Sequence, residues 1–165
     1  MSSSSLTLRP MTVDDLATVS QLGIDSKSSW GYDDDAMRIF SDELTLSRES
    51  LVEILDAKVA YKNNQIVGYF TLRNHADGVT ELEHLFVQRD QFRKGVGTKL
   101  LLSALASARR SGIEALTIIA DPHSSGFYEK HGAVRVGDHR SSIAGRVIPV
   151  YELATSVSIP MDDNQ

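Results

Sequence analysis

The stretch Phe92–Leu101, FRKGVGTKLL, sets two glycines two positions apart, directly after the cations Arg93 and Lys94. A strand-like run precedes it and a helix-like run follows, so Gly95 and Gly97 open a helix. The first amides of a helix have no partner within it and carry a partial positive charge. Glycines let a ligand come close to those amides, and the combination favours an anion, commonly a phosphate. The spacing is not that of a Walker loop, because Thr98 and Lys99 follow Gly97 and no glycine stands five positions before it. Nor is it a dinucleotide fingerprint, which needs Gly or Ala where Leu100 stands. By itself the motif leaves open a tight turn with an unliganded helix start.

The flanking pattern supplies the elements that must hold this turn. Leu6–Pro10 alternates like a short strand. Thr12 and the acidic Asp14 and Asp15 open a helix with Leu16, Val19 and Leu22 on its inner face. Gly31 breaks it, and Asp33–Asp35 begins another with Met37, Phe40 and Leu44 inward. AKVAYKN and QIVGYFTLRN alternate with period two around Asn63-Asn64, a hairpin turn, and VTELEHLFV makes a further strand. After the glycines, Val96, Leu100, Leu101, Ala104, Leu105 and Ala108 share one helical face, and Gly112 ends the helix. EALTIIAD is a strand buried on both faces, followed by the helix SSGFYEKH and the strands AVRVGD and GRVIPVYEL. The result is a mixed α/β (α+β) domain around one sheet. It spans residues 6–154, with 1–5 and 155–165 as flexible tails and MDDNQ frayed.

Composition narrows the function. The chain has 165 residues, 41% of them apolar and 24% charged, enough for one domain with a sizeable core. Without cysteine there is no disulfide, thiolate metal site or cysteine nucleophile, and no metal is expected. A net charge of −5 argues against a nucleic-acid face, and no apolar run is long enough to span a membrane. The expected setting is cytoplasmic.

Two longer segments resemble the GNAT superfamily of N-acetyltransferases. ELEHLFVQRDQFRKGVGTKLLLSALASARRSGIEAL is similar to its signature of strand, short loop, basic glycine turn and long helix. DPHSSGFYEKHGAVRVG is similar to its second signature, in which a helix carrying FY precedes a Gly-Ala pair. SKSSWGY (Ser26–Tyr32) and GRVIPVYEL (Gly145–Leu153) further resemble a bacterial-type branch. The family pattern would place Gln or Arg where this chain has Phe92; the loop contacts it implies are chiefly from backbone N–H groups, with Arg93 or Lys94 as substitutes for the basic side chain. The resemblance implies a mostly antiparallel sheet of six to seven strands with about four flanking helices, splayed between strands four and five. It implies acetyl-coenzyme A as donor, an amine acceptor on a small molecule or peptide, and the possibility of a homodimer.

It also implies a set of residues. The donor's diphosphate falls to Arg93, Lys94, Gly95, Val96, Gly97 and Thr98. Its pantetheine arm falls to the backbone of Phe86 and Val87, with Asp121, Ser125 and Tyr128 nearby. At pH 7 only about 1 in 10³ alkylamines is unprotonated, which adds roughly 4–5 kcal/mol to the barrier unless a base assists. Glu83, then Glu81, is the expected base; strict alternation would put both on one strand face and His84 on the other. Tyr128 is the expected acid toward the departing thiolate. Trp30, Tyr32, His84 and Arg146 are expected on the acceptor side, where aromatic faces suit a cation and Arg146 suits a carboxylate. A coenzyme-binding module without catalysis is the alternative, and nucleotide binding at the glycine turn a third.

Overall fold

The computed structural model describes residues 5–157 and residue 159. Seven strands form one sheet in the order β1-β2-β3-β4-β5-β7-β6. The strands are β1 (Thr7–Pro10), β2 (Ile54–Lys62), β3 (Gln65–Asn74), β4 (Thr80–Val87), β5 (Ala115–Ile119), β6 (Val134–Arg140) and β7 (Val147–Ala154). The helices are α1 (Leu16–Ser28), α2 (Asp34–Leu44), α3 (Arg48–Val52), α4 (Val96–Arg110) and α5 (Ser125–Lys130). β4 and β5 run parallel, as the α4 crossover between them requires, and every other neighbouring pair is antiparallel. No helix among the described residues is long and apolar enough to cross a membrane.

α4 covers one face of the sheet. Its expected stripe of Val96, Leu100, Leu101, Ala104, Leu105 and Ala108 is buried against Phe70, Leu72, Leu82, Leu116 and Ile118. α1 covers the other face, burying Leu16, Val19 and Leu22 with Val59 and Tyr69. The β2–β3 hairpin turns at Asn63 and Asn64, both left-handed (φ 53° and 60°), as a two-residue turn demands. Asp33 caps α2 by accepting from the Ala36 amide at 2.8 Å. α3 has no counterpart in the sequence reading; at five residues it is too short for a periodic signal.

Two expectations change. The register of β3 on β4 slips between Thr71↔His84 and Leu72↔Leu82, so Glu83 is the extra residue of a β-bulge. Leu82, Leu85 and Val87 face the α4 side, while His84 and Phe86 face the α1 side with Tyr69. The strict alternation that would separate Glu83 from His84 therefore fails. The folded chain also runs past residue 154. Thr155 is buried and its hydroxyl donates to the Ile113 carbonyl at 2.8 Å, while Val157 packs on the core. The expected tails at 1–4, 158 and 160–165, including MDDNQ, lie outside the described residues.

The start of α4 crosses β3 at Gly68, where a Cβ would stand 2.9 Å from both Leu100 Cδ1 and the Phe86 carbonyl oxygen. Gly68→Ala must push α4 or β4 outward. It should lower stability by about 1–3 kcal/mol, read from the urea midpoint.

Candidate active site

The sheet is left open where α4 begins. β4 and β5 share a single register pair, Glu81↔Thr117. Past it, β4 stays paired to β3 as far as Val87, and β5 to β7 as far as Ile119. The two strands diverge into a cleft of about 1000 Å³. Backbone groups of β4 that face this gap have no strand to complete their hydrogen bonds. Glu81, Glu83, Tyr128, Phe86, Val87, Arg93, Gly95, Gly97, Thr98 and Asp121 all line the cleft, as do Trp30, His84 and Arg146. Lys94, Val96, Ser125 and Tyr32 do not; Val96 points into the core at 2% exposure and contributes only backbone.

The glycine turn closes one end. Arg93 and Gly95 are left-handed (φ 64° and 81°), with Lys94 between them not so, the alternation that gathers successive amides into a concave anion nest. None of the amides from Arg93 to Thr98 reaches an acceptor among the described residues. Gly97 lies against Phe127, whose ring would be 3.2 Å from a Cβ there. The Thr98 hydroxyl is not free for a ligand. His131 Nδ1 lies 2.7 Å from the Phe127 carbonyl, which can only accept, so the proton sits there and Nε2 accepts from Thr98 at 3.1 Å. This link between the start of α4 and the end of α5 carried no motif in the sequence. Phe92 stands at the rim, leaving Arg93 and Lys94 exposed as the local cations.

The bulge gathers the acid–base candidates. Glu83 is held by Arg73, whose guanidinium also reaches Glu53 at 2.9 Å. Glu81 meets His75 at 2.7 Å. His84 Nε2 lies 3.8 Å from Glu83 Oε1. Burial lowers the His84 pKa to about 4, against the pull of Glu83 and with help from Arg73 and Lys27, so the ring is neutral at pH 7. Its Nδ1 has no partner among the described residues. Tyr128 is 5% exposed, and burial pushes its hydroxyl up, so it stays protonated and able to donate.

Asp121 organises the far wall. Its Oδ2 accepts from the Tyr32 hydroxyl at 2.6 Å and from Arg146 at 3.0 Å, with Lys27 Nζ at 3.5 Å. Its Oδ1 accepts from the amide and ring of His123, both at 2.8 Å. Both carboxylate oxygens of Asp121 are thus taken by protein donors. Ser124 and Ser125 both turn their hydroxyls to the Asp121 carbonyl, at 2.9 and 3.4 Å, so Ser125 is likewise turned inward. Trp30 stacks on the His123 ring at 5.3 Å and 7°. Lys27 and His123, outside the expected set, belong to this wall; Lys27 falls within the SKSSWGY segment.

This architecture, a sheet opened beside an amide-lined helix start, is that of an acetyltransferase. Residues 32–149 match the family described as the acetyltransferase (GNAT) domain, and the chain belongs to that family. Among solved structures it is similar to the PaiA N-acetyltransferase of Thermoplasma acidophilum in complex with coenzyme A. That match has 22% identity and a TM-score of 0.74, covering 91% of this chain and 99% of that one. It is also similar to a GCN5-related N-acetyltransferase from Rhodopseudomonas palustris (21% identity, TM-score 0.75, 93% and 98% covered). A GNAT acetyltransferase from Brucella melitensis in complex with acetyl-CoA matches at 18% identity and TM-score 0.65, covering 96% and 94%. At these identities the likeness is one of fold. No curated protein matches the sequence.

Burial opposes ionisation of Asp121, but Tyr32, His123 and Lys27 outweigh it and hold the carboxyl below its usual range. Its stabilisation is therefore complete above the unfolded value of about 3.9 and is lost as pH falls through the lower folded value. Asp121→Asn, which strands Lys27 and Arg146 beside a neutral group, should cost about 3 kcal/mol at pH 7. It should also flatten the acid limb of the stability–pH curve, measured by urea unfolding from pH 3 to 7.

Proposed function

We propose that this chain transfers an acetyl group from acetyl-coenzyme A to a primary amine of a small molecule or peptide, by direct attack with both substrates bound. The observation that carries the reading is the meeting, in one cleft, of the unclosed β4–β5 edge and the amides of Arg93–Thr98. The donor supplies its acetyl thioester. The amides of Arg93, Lys94, Gly95, Val96, Gly97 and Thr98 would hold its diphosphate, and the backbone of Phe86 and Val87 its pantetheine arm.

Glu83 takes the proton that the amine sheds as its nitrogen bonds to the carbonyl carbon. Arg73 fixes the orientation of that carboxylate, and Glu81 is the next base along the strand. Tyr128 gives its proton to the sulfur as the carbon–sulfur bond breaks. Trp30, Tyr32, His84 and Arg146 shape the acceptor side, Tyr32 acting through Asp121. Membership of the branch marked by SKSSWGY and GRVIPVYEL is part of this proposal. It is supported by convergence, because Lys27 and Tyr32 from the first segment and Arg146 from the second all meet at Asp121.

Thiol release from acetyl-CoA, scanned over an amine panel with donor affinity measured separately by calorimetry, tests the reading. Donor binding without release for any amine would make the chain a non-catalytic coenzyme module. Glu83→Gln should lower kcat about 10²-fold near pH 7, with the deficit shrinking toward the amine's own pKa of about 10.4. Equal rates would pass the role to Glu81. Tyr128→Phe should reduce kcat while leaving donor affinity unchanged. Gly97→Glu puts a carboxylate into the amide nest and a Cβ against Phe127, and should abolish donor binding; unaltered affinity would remove the loop from the site.

A further inference from the structure

The wall opposite the glycine turn carries more positive charge than it neutralises. Lys27 and Arg146 line the cleft with side chains 13% and 19% exposed, and among the described residues Asp121 is the one carboxylate paired with either. Asp121 is over-subscribed. Its Oδ2 already accepts from Tyr32 and Arg146 at 2.6 and 3.0 Å, leaving Lys27 a long 3.5 Å contact. Among the described residues the Lys27 ammonium makes no hydrogen bond of 3.5 Å or less to any other side chain. It sits instead 3.9 Å from the centre of the Phe40 ring, and Arg146 lies over the same ring at 5.3 Å. The other carboxylates of the cleft pair with neither cation: Glu83 is committed to Arg73 and Glu81 to His75, and Glu43, exposed to solvent, acts on Lys27 only at a distance. Two poorly hydrated cations sharing one anion are costly unless something else completes the set.

We propose that Lys27 and Arg146 are the seat for a carboxylate on the acceptor, so that the enzyme acetylates small amino acids rather than simple amines. This rests on the acetyl-transfer reading above. It assigns each sign of a zwitterion to its own wall: the carboxylate to Lys27 and Arg146, the amine to the β4 bulge with Glu83 and His84. The planar guanidinium of Arg146 suits a carboxylate in particular. Burial pulls the Lys27 pKa down from its ordinary value and Arg146 adds to the fall, while Asp121 and, more weakly, Glu43 pull it back up.

The chain holds a single tryptophan, Trp30, stacked on His123 beside this seat, so its fluorescence reports occupancy without turnover. The test titrates coenzyme A-loaded protein with N-acetylglycine, N-acetyl-β-alanine and N-acetyl-4-aminobutanoate, each against its primary amide and its phosphonate counterpart. Thiol release is read in parallel with the corresponding free amines. At least one carboxylate should bind about tenfold or more tighter than its amide, and Lys27→Met and Arg146→Gln should each erase that difference. Lys27→Met should do so without lowering the melting temperature, since it leaves Asp121 and Arg146 as a one-to-one pair. A purely structural Lys27 would instead lower the melting temperature and leave the ligand preference intact. Equal binding of acids and amides, a preference for phosphonates, or survival of the preference in both variants overturns the proposal. Loss of thiol release with every amine, despite carboxylate-selective fluorescence, counts against acetyl transfer and not against the seat.

Discussion

A strand that ends its pairing inside a protein must satisfy its amides and carbonyls some other way, and this fold is arranged around that constraint. β4 is tied to β3 along its whole length and β5 to β7, yet the two touch at one register pair. The crossover through α4 holds them apart: a long helix buried on one face must sit over the sheet, with its first turn above the mouth of the gap. The helix start brings its own unpaired amides to the same place. The cleft and the glycine turn therefore open on one space, where both kinds of unpaired backbone group meet.

The opposite wall solves a different problem, that of keeping charge inside a half-dry cleft. Asp121, at the end of β5, is held by five donors drawn from separate parts of the chain. Such a hub fixes the loop before α2, the turn into α5 and the β6–β7 connection relative to one another. Arg73 and Glu83 play a smaller version of the same part on β4, where the bulge turns a carboxylate and a neutral imidazole to one side.

Much of the scaffold could be read from residue order because its signals are local. The α4 stripe, the Asn63-Asn64 turn and the Gly95 entry each depend on neighbours a few positions apart. The site was legible where it is built from contiguous backbone and illegible where it is built across the fold. Tyr32 and Asp121 are 89 positions apart, and Tyr32 and Arg146 are 114, so no spacing rule could announce their contact. The bulge was hidden for a related reason: period two is a property of a regular strand, and one extra residue reverses it for everything beyond. Thr98 and His131, 33 apart, were equally silent, because a threonine opening one helix and a histidine just past the end of another carry no pattern.

That last pair has a mechanical consequence. Thr98 sits in the first turn of α4, and His131, just past the end of α5 and three residues after Tyr128, bonds both to the Thr98 hydroxyl and to the Phe127 carbonyl. The two helix ends are therefore geared together. The turn that carries the buried Tyr128 phenol is thus moored to a neighbouring helix, and neither end can drift without straining the other.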